Sequence, residues 1–220
     1  MQGMTMATIT AFKTSPDKGV GLARDMRIRW ALEEAGQTYD VRLVTFEEMK
    51  QLPHLALQPF GQIPTYEDGD VALFESGAIV LHIAEQHAGL LPQDKLARAT
   101  ALSWMFAALN TVEPPIVERD YVKYFEADKS WQSERFFMVD ERIRTRLDQL
   151  AAALGDSNWI AGPFSAADIL MVHAIRRLEG SGILEDYQVF TDYIARAAER
   201  PAYERAFKAQ YDVFQNTSSQ

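Results

Sequence analysis

The stretch from Gln58 to Ser76, QPFGQIPTYEDGDVALFES, constrains the fold more than any other part of the chain. It predicts a turn at Gln58-Pro59-Phe60-Gly61, a short strand from Ile63-Pro64, a two-residue turn at Asp68-Gly69 and a second strand over Val71 to Phe74. Asp-Gly between two short runs specifies a tight hairpin, because both central turn positions favour positive φ. Pro64 donates nothing to a ladder, and a tight turn at this point suits a cis bond before it. Ser76 precedes the apolar pattern Ile79, Val80, Ile83 and so predicts a helix N-cap. The segment exposes unpaired backbone around Ile63 and sets a helix N-terminus beside it. That combination suits a small anionic, peptide-like ligand.

The bulk properties exclude several classes. With 47% hydrophobic and 11% aromatic residues in 220, the chain holds enough apolar surface for a packed core. A net charge of −9 argues against nucleic acid or an anionic membrane as partner, since both require a basic face. No cysteine is present, which removes disulfides, Cys-type zinc sites and a protein thiol nucleophile. The opening MQGMTMATIT has neither a charged n-region nor an apolar h-region, so a secretory signal is not expected, and the first residues read as a loose tail. No apolar run reaches membrane-spanning length. A cytoplasmic location is the expectation.

Upstream of the hairpin, Ala7 to Phe12 reads as a strand, Lys13 to Gly21 as a loop, Ala23 to Ala35 as an amphipathic helix closed by Gly36, Tyr39 to Val44 as a strand and Glu47 to Leu57 as short helical or irregular chain. With a helix from Ser76 to about Ala88, the order is β-α-β-α-β-β-α, a mixed sheet with helices on its faces. Gly89-Leu90-Leu91-Pro92 reads as a linker, and the remainder as helix. The domains are therefore expected at 1–88 and 94–220, joined by 89–93.

In the second half, Asp94 to about Val112 is expected to be helical until Pro114-Pro115 ends or kinks it. Ile116 to Ala127, Ser130 to Leu154, Ala166 to about Leu178, Phe190 to Ala198 and Ala202 to about Phe214 follow, the last two split by Pro201. Phe164-Ser165-Ala166-Ala167-Asp168-Ile169 has the form of a capping box with a hydrophobic staple. Asp168 is thus structural, and Asp168→Ala is expected to lower stability by about 1 kcal/mol.

This order of elements, with PFGQIP and FES at the junctions, resembles the cytosolic glutathione transferases over nearly the whole chain, in a bacterial type without Cys or Tyr at the usual catalytic position. The resemblance implies a thioredoxin-like N-terminal domain that holds glutathione and an all-helical C-terminal domain that contributes the pocket for an electrophile. Gln62-Ile63-Pro64 looks like the family's segment with a cis proline, whose preceding backbone pairs with the cysteinyl part of glutathione. Glu75-Ser76 looks like the pair that binds the γ-glutamyl end, and Lys50 stands where some classes place a lysine for the glycyl carboxylate. A homodimer is implied as well, as is a role in detoxification. The chemistry agrees: first-turn N–H groups and the helix dipole favour a carboxylate at Ser76, and Glu75 suits an ammonium. Read without the family, Ser76 is a plain N-cap, Glu75 a solvated side chain and Pro64 a trans edge-strand proline.

The family places a thiol-activating hydroxyl or thiol just after the first strand. Phe12 occupies the strand end, which leaves Ser15 as the catalytic candidate and Thr14 as the alternative. Backbone N–H groups, Lys18 or Arg24 also fit a role at the sulfur, and Ser15-Pro16-Asp17 also reads as an ordinary turn. His82 and His87 are five apart on one helix and do not share a face, and His54 and His173 are isolated, so a metal site is not expected. Gly19-Val20-Gly21 lacks the rest of a phosphate-loop fingerprint. The leading expectation is conjugation of glutathione to small hydrophobic electrophiles. Glutathione-dependent isomerase, peroxidase or dehalogenase chemistry on the same fold is one alternative, and a non-catalytic binding or regulatory protein is another.

Overall fold

A computed structural model describes residues 6–218; the expected loose tail before the first strand lies largely outside them. The chain packs as two compact units, one running to Leu90 and rejoined from Ala198 onward, the other spanning Leu91–Ala197.

The first unit is a four-stranded mixed sheet in the order β2-β1-β3-β4. β1 (Ala7–Phe12) pairs in parallel with β2 (Tyr39–Val44), from Ala7 opposite Tyr39 to Phe12 opposite Val44. β3 (Thr65–Asp68) runs antiparallel to β1, and β4 (Val71–Phe74) antiparallel to β3. β1 is the central strand by burial, with Ile9 and Thr10 fully buried, as expected when both faces of a strand are covered.

This topology brings four chain connections to one end of the sheet. The C-terminal ends of β1 and β2 lie there because the two strands are parallel. The start of β3 and the end of β4 lie there because those strands reverse. The loop after Phe12, the segment after Val44, Ile63-Pro64 and Glu75-Ser76 therefore share one edge. Side chains reinforce the junction. Thr65 N–H donates to Thr10 Oγ1 at 2.7 Å, and Lys13 N–H extends the parallel ladder to Val44 C=O at 2.9 Å.

The hairpin turn is displaced by one residue from its expected place. Asp68 faces Val71 in register, so the two turn residues are Gly69 and Asp70. Gly69 has φ +56 while Asp70 stays at negative φ, so the single left-handed position falls to glycine at the first central site. Thr65 also begins the strand one residue after Pro64, which cannot enter the ladder.

Helix α1 (Asp25–Glu34) covers the sheet with Met26, Ile28, Trp30, Ala31 and Leu32 all buried. It ends at Gly36 as expected, with Gln37 N–H reaching back to Leu32 C=O at 2.9 Å. The irregular stretch after β2 contains a 3-10 turn at Glu48–Lys50 and the short helix α2 (Leu52–Leu55). α3 (Ser76–Gln86) buries Ile79, Val80 and Ile83 against α1.

The final helix, α9 (Pro201–Ser218), packs along α1 within this same unit. The Trp30 ring meets Tyr203 edge-on at 4.9 Å. Arg200 clasps Glu34 through both carboxylate oxygens, at 2.6 and 2.8 Å, and Arg205 pairs with Glu33 at 2.6 Å. The expected boundary placed 198–220 with the helical domain; by packing, this segment completes the first unit. The split expected at Pro201 is present, and Pro201 is itself the first residue of α9, where a missing N–H costs nothing.

The second unit is helical throughout. α4 (Lys95–Ala107) starts at Asp94, whose carboxylate accepts from the Leu96 and Ala97 N–H groups. The helix ahead of Pro114-Pro115 ends as expected, while the helical path continues. A π-helical turn at Ala108–Val112 leads directly into α5 (Glu113–Phe125), so both prolines fall in the first turn of a new helix. α6 (Gln132–Leu154) lays Val139, Ile143, Leu147, Leu150 and Leu154 as one buried stripe against the unit's core and stops at Gly155. Arg119 of α5 pairs with Asp140 of α6 at 2.7 Å. α7 (Ala166–Ile175) is buried on every side, and α8 (Gln188–Ala198) closes the unit with Phe190, Tyr193 and Ile194 inside.

The capping box before α7 is present and stronger than a surface cap. Asp168, fully buried, accepts from Ser165 N–H at 2.8 Å, Ser165 Oγ at 3.1 Å, Ile160 N–H at 2.9 Å and Tyr193 OH at 2.5 Å. Burial pushes the Asp168 carboxyl above its usual range, opposed by these hydrogen bonds.

Candidate functional site

Ile63 begins the site. Its side chain packs with Val44 and Met49, and Phe12 leans on the same cluster, so the end of β1 touches the residue before Pro64. The Ile63-Pro64 bond is cis. Outside the ladder, the Ile63 N–H and C=O have no partner among the described residues, while the residue itself is 8% exposed. The neighbouring Gln62 carbonyl is occupied: His54 Nε2 donates to it at 2.7 Å, which places the imidazole proton on Nε2. The turn before it is closed by Gly61 N–H to Gln58 C=O at 3.0 Å and by Phe60 N–H to Gln58 Oε1 at 2.6 Å. Gln58, 2% exposed, is the buried post of this turn. The Gln62 side chain is exposed.

Glu75-Ser76 differs from the expectation in one respect. Ser76 is the first residue of α3 rather than its N-cap, and the N-cap is Glu75 at φ 68 and ψ 114. An L residue with positive φ outside a glycine position stores strain, of the order of 1–3 kcal/mol. Such strain persists where the surroundings over-determine the backbone, often at ligand sites. The Glu75 side chain is exposed. Ser76, freed from capping, is 5% exposed and accepts at Oγ from Arg27 Nη1 at 3.0 Å. Its own O–H is left to donate elsewhere, above a first turn whose N–H groups have no helical acceptor. The guanidinium of Arg27, 1% exposed on α1, therefore adds a buried positive charge beneath this helix start.

Lys50 is exposed in the 3-10 turn after β2. The Met49 carbonyl lies 3.2 Å from where a Cβ on Gly61 would stand, so the chain at 49–50 runs beside the chain at 61–62.

The loop after β1 is organised by Asp17. Its Oδ1 accepts from Ser15 Oγ and from Gly19 N–H at 3.0 Å, and its Oδ2 from Leu22 N–H at 2.6 Å and Ala23 N–H at 3.1 Å. Ser15 is half-buried and gives its proton to this carboxylate. Thr14 is exposed. Lys18, Gly19 and Gly21 have positive φ, so the loop doubles back on itself around the carboxylate. Phe12 is confirmed at the strand end, its ring 5.0 Å from Phe46.

The structure thus sets Ile63, Pro64, Glu75, Ser76 and the Ser15 loop at one end of one sheet, with Lys50 near Gly61. Sequence reasoning missed Asp17, Arg27 and His54. Asp17 had a signal, since an Asp two residues before a glycine commonly accepts backbone N–H groups in a turn. Arg27 had none, because a helix-surface arginine and a buried one are spelled alike. Among the described residues, no three His, Asp or Glu side chains gather as a metal site requires, and no helix is long and apolar enough to cross a membrane.

Comparison with known proteins identifies the family. The family model for the glutathione S-transferase N-terminal domain matches residues 18–85. A probable glutathione S-transferase of Oryza sativa subsp. japonica is 32% identical over 154 residues, covering 65% of this chain and 70% of that protein. Glutathione S-transferase 4 of Zea mays is 28% identical over 187 residues, covering 78% of this chain and 82% of its own. A glutathione transferase family member from Pseudomonas fluorescens pf-5, crystallised with two glutathione bound, superposes with a TM-score of 0.80 at 25% identity, covering 94% of each chain. A thioredoxin-like sheet, a helical second unit and this degree of identity to the rice protein together mean that the chain belongs to the glutathione S-transferase family.

Proposed function

We propose that the protein is a glutathione transferase that joins the thiolate of glutathione to small hydrophobic electrophiles. The observation that carries this reading is the unpaired Ile63 backbone beside the strained Glu75-Ser76 helix start, at the sheet end where the Ser15 loop also emerges. In this reading Ile63 N–H and C=O pair with the cysteinyl backbone, and the Ser76 hydroxyl and first-turn N–H groups of α3 take the γ-glutamyl carboxylate. Glu75 meets the α-ammonium, and Lys50 and Gln62 face the glycyl end. The sulfur attacks the electrophilic carbon, a C–S bond forms, the leaving group departs with its electron pair, and the thiol proton passes to solvent. Ser15 activates the sulfur, with Thr14 as the alternative. Ser15 must turn its O–H away from Asp17 to donate to a thiolate.

That same hydrogen bond favours a second reading, a protein that binds glutathione without catalysis. A homodimer, a cytoplasmic setting, a bacterial-type class and a role in detoxification belong to the leading reading.

The test has two steps. Retention on immobilised glutathione, released by free glutathione, is expected for wild type and for Ser15→Ala; failure of wild type to bind sinks both readings. In conjugation to an aryl halide, Ser15→Ala is expected to fall by about 10- to 100-fold, the equivalent of one hydrogen bond to a charged group at about 1.5–3 kcal/mol. Unchanged turnover in the variant removes Ser15 from the role, and no turnover in wild type leaves the binding protein.

A further inference from the structure

The loop that carries Ser15 is held from behind by the C-terminal helix. Gln210 of α9 is 6% exposed, and its amide donates to Ala23 C=O at 3.3 Å; Gln210 and Asp25 line the same small cavity. Asp25 is itself locked to Arg29 at 2.8 Å, with both side chains 1% exposed. Ala23 is thereby gripped on both sides. Its C=O is held by Gln210, and its N–H is held by Asp17, which also holds Ser15.

A second contact comes from the same helix. A Cβ on Gly19 would stand 2.8 Å from Phe214 Cδ1 and 3.1 Å from the Tyr211 ring, so the loop backbone rests directly on these rings. Only glycine fits there, at φ +79 and with no room for a side chain. Between loop and helix lies a small cavity lined by Ser15, Asp25, Arg29, Gln210 and Phe214, among others. Arg29 Nη2, a donor, and Gln210 Oε1, an acceptor, are both buried without a protein partner.

We infer that Gln210 is a positioning residue for the reaction: through Ala23 and Asp17 it fixes the loop that presents Ser15 to the sulfur. The inference rests on the proposed role of Ser15. It assigns the C-terminal helix to thiol activation rather than to the electrophile pocket.

The test is Gln210→Leu, similar in size and without the amide, read in two independent ways. Native-state hydrogen exchange at Gly19, Leu22 and Ala23, the amides bonded to Asp17, is expected to quicken by about 10-fold or more as local opening becomes easier. The pH profile of kcat/KM is expected to move to higher pH, with kcat/KM down by about 3- to 10-fold at neutral pH and glutathione retention kept. Phe214→Leu, which trims the half-buried ring under Gly19, should give the same pattern in weaker form and serves if the first variant does not fold. A lowered melting temperature with unchanged exchange at these amides and an unmoved pH profile would overturn the inference. If Ser15→Ala proves silent in the wild-type background, the catalytic reading fails alone, and the exchange experiment still decides whether Gln210 positions the loop.

Discussion

Asp168→Ala tests the energetics of the second unit. An exposed helix cap is worth about 1 kcal/mol, and the sequence alone supports no more than that. The structure supports a larger figure. Asp168 is fully buried and accepts from four donors, on Ile160, Tyr193 and twice on Ser165, whose residues are 8%, 1% and 1% exposed. Truncation leaves all four without an acceptor. A buried donor without a partner costs about 1–3 kcal/mol, so even the low end sums to about 4 kcal/mol. Loss of the carboxylate's own burial penalty, visible in its raised pKa, offsets part of this. A net loss of about 3 kcal/mol is expected, a large share of a typical domain's stability.

Denaturant unfolding followed by tryptophan fluorescence measures this change. Trp159 reports on the site, its ring lying 4.9 Å from Phe164 and 5.6 Å from Tyr193. Tyr193→Phe removes one of the four bonds and should cost about 1 kcal/mol alone, yet recover about 1 kcal/mol in the Asp168→Ala background, where it removes a buried phenol that has lost its acceptor. A loss near 1 kcal/mol for Asp168→Ala would reduce the network to a simple cap and refute the reasoning. Normal stability with lost turnover would make Asp168 catalytic instead.

Two further outcomes follow from single residues. Glu75→Gly relieves the positive φ and should raise thermal stability by the equivalent of about 1 kcal/mol while weakening retention on glutathione, as its proposed binding role requires; weaker stability with intact retention would refute that role. Tyr66, buried in β3 and beside Asp68, has its phenol pushed up to about 12 by burial first and by that carboxylate second. The native state therefore keeps a proton that the unfolded chain releases near 10, and stability should fall as pH rises through that window. In Tyr66→Phe, stability measured across the same window should lack that part of the slope.

The outline of the fold was legible because periodicity and punctuation agree along most of the chain. β1 and β2 fall where the sequence places them, and Gly36 and Gly155 stop their helices as expected. The departures have separate physical causes. Helices end before Pro114-Pro115 and before Pro201 as expected, but these prolines also open the helices that follow, because a proline is at home in the first turn and only the backbone before it decides which. The hairpin turn moved by one residue because a single glycine supplied the one positive φ needed. Ser76 lies one residue inside its helix, and its hydroxyl is partnered by Arg27, forty-nine positions away in sequence. The place of α9 rests on contacts with α1 that no local pattern encodes.

The same distinction separates the two halves of the site. The proposed glutathione grip is short-range: Gln62-Ile63-Pro64 and Glu75-Ser76 flank one hairpin, so a local motif is enough to suggest it. The proposed activation of the thiol is long-range. Ser15 answers to Asp17, Asp17 to Ala23, and Ala23 to Gln210 near the other end of the chain. A hydroxyl bonded to a carboxylate presents lone pairs rather than a proton to an incoming thiol, whereas a thiolate needs a donor. Asp17 is also bound by three backbone N–H groups, which disperse its charge and keep it in place when Ser15 turns. The loop therefore needs a rigid Asp17 and a mobile Ser15 hydroxyl at once. Support from α9 meets the first requirement without obstructing the second, because Gln210 and Phe214 touch the backbone of the loop at Ala23 and Gly19.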